Sequence, residues 1–107
     1  MAIVKNAVKQ RLRAGKIAAG FGISRLRSAE IPQIAEACGF HWVFVDLEHS
    51  TMDLDQAGQV CAAALKTSAS AIVRVPEGDT TRATRILDAG AQGIVFPHVD
   101  TVEEAEA

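Results

Sequence analysis

The chain has 107 residues, 49% of them hydrophobic and 22% charged, a balance that excludes a disordered, fibrous or membrane-spanning chain and fits one globular domain. Eleven Lys and Arg against thirteen Asp and Glu leave a formal net charge of -2, so no general positive field draws it to nucleic acid or an anionic membrane; its partners are expected to be small molecules or proteins. The first residues, MAIVKNAVKQRLRAGK, lack the apolar core of a signal peptide. Cys38 and Cys61 lie in alanine-rich stretches without Cys-x-x-Cys or Cys/His spacing. Together these features predict a cytoplasmic protein with reduced, buried thiols.

Residues 5–14 carry Ala7, Val8 and Leu12 on one side, basic residues elsewhere, and Gly15 at the end, which predicts a short amphipathic helix. Residues 16–23 (KIAAGFGI) are too short and apolar for a helix and suit a buried strand whose glycines admit a close neighbour. A helix is expected from Ser28, with Ile31, Ile34, Ala35 and Cys38 inward, Pro32 in its first turn and Gly39 as its stop. Residues 40–46 (FHWVFVD) then read as a strand covered on both faces, with Trp42 and Phe44 in the core. Asp53 and Gln56 make a capping box for a helix that turns Leu54, Ala57, Val60, Cys61, Ala64 and Leu65 inward. Residues 70–76 form the third strand, and Asp79 caps a helix with Ala83, Ile86 and Leu87 inward that stops at Gly90. Residues 91–97 form the fourth strand, and Asp100 with Glu103 is read as the capping box of a last helix, TVEEAEA. Strand and helix alternate without a linker, which predicts a parallel α/β sheet wound by right-handed crossovers.

In such folds the functional groups gather at the C-terminal ends of the strands. There the chain places Ser24, Arg25 and Arg27; Asp46, Glu48 and His49; Arg74; and His98 and Asp100. The opposite ends offer Lys16, His41 and Gln92. Asp46, three residues before His49, either orients that imidazole as a general base or simply caps loop amides. Glu48 between them reads as a solvated loop carboxylate. Arg74 interrupts an apolar strand, and a buried guanidinium requires an anion: Asp46, Asp88, or a substrate carboxylate or enolate. His98 either meets substrate or finishes a turn after Pro97. Arg25 and Arg27 either grip a substrate carboxylate or lie exposed. Gly20 and Gly22 make no phosphate-binding fingerprint, since the third glycine is missing.

The run GFHWVFVDLEHSTMDLDQ, followed in order by AIVRVP, DAGAQGIVFPHV and TVEEAEA, resembles the HpcH/HpaI aldolase and citrate lyase family of metal-dependent class II pyruvate aldolases, from about Gly20 to the end. The resemblance implies a (β/α)8 barrel that makes or breaks a carbon-carbon bond between pyruvate, as its enolate, and an aldehyde. A divalent ion, magnesium, manganese or cobalt, would bind the pyruvyl unit. Asp46 and His49 then match the dyad that handles the aldol hydroxyl proton, and Arg74 the residue that binds the keto oxygen and enolate. Asp88 matches an aspartate near a subunit contact in homo-oligomers of the family. His98, at a position where the family is not uniform, and Arg25, in an SRLR segment that departs from the family pattern, are further candidates for substrate binding. The family's metal-ligating Glu and Asp come from later strands, so no metal ligand is expected in this chain; Glu103, Glu104 and Glu106 lie on a helix and do not replace them.

A barrel of this kind typically needs ~250 residues. Residues 1–107 therefore read as a single partial domain, the N-terminal half of the barrel, inactive alone. Two other readings compete. A half-barrel with open edges and uncovered apolar side chains is expected to pair with a copy of itself, without catalysis. A phosphoacceptor receiver domain also ends an apolar strand in aspartate, but it needs an acidic pair after strand one and a fifth strand followed by lysine.

Overall fold

The computed structural model describes residues 4–107, ordered as α1 (Ala7–Arg13), β1 (Gly20–Ile23), α2 (Ile31–Ala37), β2 (Trp42–Asp46), α3 (Leu54–Ala64), β3 (Ser70–Arg74), α4 (Thr80–Asp88), β4 (Gly93–Val95) and α5 (Val102–Glu106). The strands form one parallel sheet in the order β1-β2-β3-β4, each beside its neighbour in sequence. That is the arrangement of consecutive units of a (β/α)8 barrel, here a half-barrel. It is not the 2-1-3-4-5 order of the doubly wound receiver type, which removes that reading. No helix among the described residues is long and apolar enough to cross a membrane.

Strand register sorts the side chains onto two faces. Phe21, Val43 and Ala71 align across the sheet, as do Ile23, Val45, Val73 and Ile94. These rows meet the helices and, with Ala57, Val60, Cys61, Ala64 and Ile86, make the main core. The alternate rows hold Gly20, Trp42 and Ser70; Gly22, Phe44, Ile72 and Gly93; and Asp46, Arg74 and Val95. Among the described residues no helix packs over most of this second face, and Trp42, Phe44 and Ile72 are only half-buried. Trp42 and Phe44 are thus not core residues of this chain: successive strand side chains alternate, and theirs fall on the face that a barrel turns inward. At its lower end Val8 and Leu12 of α1 border a shallow cleft with Ile72. Asn6 donates to the Gln92 carbonyl at 3.0 Å, and Gln92 donates to the Lys5 carbonyl at 3.0 Å.

Several boundaries differ from the sequence expectation. β1 starts at Gly20, not Lys16, because pairing with β2 begins there; Ile17 is exposed and its carbonyl accepts from Arg11. β4 shortens to Gly93–Val95 for the same reason, with Ile72 as its first partner. α2 begins at Ile31; the Ser28 hydroxyl instead accepts from the Glu30 amide, forming a turn ahead of Pro32. The last helix is capped one residue later than predicted, by Thr101 and Glu104. Glu104 also accepts from the Asp100 amide, so Asp100 is a donor in this cap and its side chain is not the capping group. Leu12, Ile34, Leu65 and Leu87 are largely exposed: each lies off the centre of its helix's inward stripe.

Cys61 is buried in the core and burial pushes its thiol up to about 12, whereas Cys38 is exposed at the C-terminus of α2. Only one of the two predicted buried thiols is therefore buried. Since Cys61 stays protonated across the neutral range, an alkylating reagent at pH 8 is expected to modify Cys38 alone in the folded protein and both thiols in urea. Mass spectrometry of the labelled chain checks this.

Gly20 carries the close approach expected of β1: a Cβ there would lie 2.2 Å from the Trp42 ring. The ring is held by its own N–H, which donates to the Ala18 carbonyl at 3.1 Å, and cannot easily retreat. Gly20→Ala is expected to cost about 1–3 kcal/mol in urea unfolding, while Gly22→Ala, where a Cβ meets nothing within 4 Å, is expected to cost far less.

Candidate active site at the strand ends

Asp46 and Arg74 are the last residues of β2 and β3 and are direct register partners on the inner face. Their pairing is bidentate: Arg74 Nε donates to Asp46 Oδ1 at 3.0 Å and Nη2 to Oδ2 at 2.7 Å. Of the three anions considered for Arg74, the intramolecular partner is Asp46; Asp88 lies exposed at the end of α4. The guanidinium carbon also sits 5.6 Å from the centre of the Phe44 ring, a cation-π distance. Nη1 makes no hydrogen bond to another described residue.

The same aspartate organises the loop after β2. Its Oδ1 accepts from the Glu48 amide at 2.9 Å and the His49 amide at 3.3 Å. The Ser50 hydroxyl donates to the Asp46 carbonyl and accepts from the Met52 amide at 3.2 Å, while the Leu47 amide donates to the Arg74 carbonyl at 2.9 Å. Asp46 thus reaches His49 through its backbone, and its carboxylate does not touch the imidazole. The partner of the His49 ring is Glu48, with Nε2 2.9 Å from Oε1.

Glu48 is the residue most undervalued by sequence reasoning. Far from a solvated loop carboxylate, its side chain is 10% exposed and lies between His49, Arg74 (Nε at 3.6 Å) and His98 (Nε2 at 3.5 Å). The signal available was the demand of Arg74 for anions, read together with a loop short enough to fold back over β3. His98 follows β4 with φ 57°, a left-handed conformation uncommon for a residue with a side chain, and this turn brings its ring toward Glu48. One potential donor atom each from Glu48, His49 and His98 lies within 4.8 Å of the others.

Other candidates stand apart. Arg25 is exposed and makes no hydrogen bond or ion pair to a described residue. Arg27 donates to the Thr51 hydroxyl, tying the loop after β1 to the loop after β2. At the opposite end of the sheet, His41 Nδ1 accepts from the Ala19 amide at 2.9 Å, a structural bond.

A parallel half-barrel with carboxylate, imidazole and guanidinium gathered at its strand ends has the layout of a barrel enzyme. The family model for HpcH/HpaI aldolase/citrate lyase matches residues 24–107, and the chain belongs to that family. It is 34% identical over 108 aligned residues to the 4-hydroxy-4-methyl-2-oxoglutarate aldolase of Hapsidospora irregularis, covering 100% of this chain and 40% of that protein. With the 4-hydroxy-2-oxovalerate aldolase of Rhodococcus jostii it shares 36% identity across 95% of this chain and 40% of the relative. The crystal structure of an HpcH/HpaI aldolase from Desulfitobacterium hafniense superposes with a TM-score of 0.85 at 28% identity, over 92% of this chain and 38% of that one. The chain thus spans about 40% of the length of these relatives.

Arg74 holds the Asp46 carboxyl down to about 2, with the loop amides acting in the same direction and burial opposing them. A folded-state value below the ordinary 3.8 means that the pair stabilises the fold fully above about pH 4 and loses this as pH falls through about 2. The shift corresponds to about 2 kcal/mol. Asp46→Asn is therefore expected to lower stability by about that amount at pH 7, with the gap to the parent closing near pH 2; urea titrations at several pH values measure it.

Proposed function

We propose that the chain provides the proton-transfer and oxyanion-stabilising groups of an aldolase acting on 4-hydroxy-2-oxo acids, and that it forms one part of a single barrel domain. The observation that carries this reading is the Arg74 guanidinium, held along one edge by Asp46, with Nη1 making no hydrogen bond to a described residue and a histidine-glutamate pair near Nε at the strand ends. In cleavage, the His49 imidazole takes the proton of the substrate's 4-hydroxyl group, directly or through water. The C3–C4 bond then breaks, the aldehyde departs, and the electron pair passes through C3 to the C2 oxygen, giving pyruvate enolate. Arg74 stabilises that oxygen as charge arrives, and a preorganised donor of this kind is typically worth about 3 kcal/mol of barrier. Protonation at C3 completes pyruvate. Glu48 orients the His49 ring, and Asp46 is a positioning residue for both Arg74 and the loop. Arg25 and His98 remain candidates for the far end of the substrate, and exposed Asp88 for a contact in a homo-oligomer. The proposed setting is the cytoplasm.

The family resemblance also implies a divalent ion, which would polarise the keto oxygen of the pyruvyl unit. One carboxylate and two imidazoles do not fit the oxygen-rich site that magnesium or manganese prefers. The carboxylates for that ion are therefore proposed to lie on later strands of the barrel.

Pyruvate release from 4-hydroxy-2-oxo acids, coupled to lactate dehydrogenase, tests the reading in a protein carrying this chain through to the length of its relatives. Arg74→Lys is expected to lower kcat by about a hundredfold, His49→Ala by about 10²–10⁴-fold, with folding retained. A folded long protein that releases no pyruvate would overturn the assignment. The 107-residue chain alone, supplied with metal, is expected to release none, and robust turnover by it would refute its dependence on later strands.

A further inference from the structure

We propose that Glu48, His49 and His98 form a binding site for a borderline divalent transition ion such as zinc or cobalt. The assignment rests on the geometry of these three residues and does not depend on the aldolase reading. Glu48 offers one oxygen to each ring, Oε1 at 2.9 Å from His49 Nε2 and Oε2 at 3.5 Å from His98 Nε2. Ligands bound at about 2.0–2.2 Å around one ion stand roughly 3–3.6 Å apart; one donor from each residue lies within 4.8 Å of the others, so small side-chain rotations bring the three to that spacing. Two neutral imidazoles and one carboxylate are a donor set for zinc, cobalt or nickel, with water filling the remaining positions.

Four further features favour an ion over a mere ion-pair cluster. Glu48 is nine-tenths buried, yet its carboxylate meets its neighbours only through charge contacts and accepts no well-aligned hydrogen bond from a described residue. Arg74, the nearest fixed cation, spends its Nε and Nη2 donors on Asp46 and approaches Glu48 no closer than 3.6 Å. The two histidines are 67% and 59% exposed, so their rings can close on an ion without repacking the core. His98 reaches the site by a left-handed backbone turn, a conformation that costs energy and that a ligand contact would repay. An ion there would occupy His49 Nε2, the nitrogen that now faces Glu48, in place of that contact.

Cobalt titration of metal-depleted protein tests the site, with visible d–d absorption and calorimetric heat as readouts. One equivalent is expected to bind and to be displaced by zinc but not by equimolar magnesium. His98→Ala, at an exposed position, is expected to weaken binding about tenfold or more, and Glu48→Gln to do the same with circular dichroism confirming its fold. In a longer protein that holds a second ion elsewhere, His98→Ala removes one equivalent and leaves the other. Absence of a cobalt band, or unchanged affinity and spectrum in His98→Ala, overturns the proposal. Neither readout involves pyruvate release, so failure here and failure of the aldolase reading are separable.

Discussion

The bidentate pair of Asp46 and Arg74 closes the C-terminal ends of β2 and β3, and most of the site is arranged around it. A guanidinium at the end of an apolar strand is tolerable only if an anion meets it, and a carboxylate at the last position of the adjacent strand is costly without a cation. Parallel pairing places the two in register, so each satisfies the other with little freedom lost to flexible stems. With two of its donors committed, Arg74 presents a fixed charge at the sheet's rim. Asp46 uses its remaining capacity on the amides of Glu48 and His49, so the charge pair and the loop form one unit.

That unit explains why neighbouring groups converge. The loop after β2 turns back over β3, which sets Glu48 above Arg74, and the turn at His98 closes from β4 on the other side. Three strands therefore contribute to one cluster although their residues are far apart in sequence. The helix-covered face of the sheet keeps this geometry rigid, since Val43, Val45, Ala71 and Val73 are fully buried against α3 and its neighbours. The opposite face carries the large side chains of Trp42 and Ile72 over Gly20 and Gly93, a size complementarity that a barrel interior requires.

Family membership covers the part of the relatives that this chain matches, and its chemistry divides accordingly. The residues at hand can orient a proton acceptor and stabilise an oxyanion. Glu48 is the one carboxylate in the cluster with His49 and His98, whereas a magnesium or manganese site draws mainly on oxygen ligands. A division of labour between the two halves of a barrel follows from the fold itself, because strand ends from all around the ring face one mouth.

Element order, parallel topology, the helix caps at Asp53 and Asp79 and the glycine stops at Gly15, Gly39 and Gly90 were legible in the residues because they depend on local propensity and hydrophobic period. The strand limits of β1 and β4 were not, since hydrogen bonding to a neighbouring strand decides where a ladder begins. Trp42 and Phe44 were misplaced because an apolar run does not tell which face a helix will cover. By itself the sequence determined that charged and imidazole groups stand at strand ends, and that Arg74 must find an anion. Only the tertiary structure decided that the anion is Asp46, that His49 pairs with Glu48, and that His98 joins them, because strand register and the path of two loops fix distances that no spacing along the chain encodes.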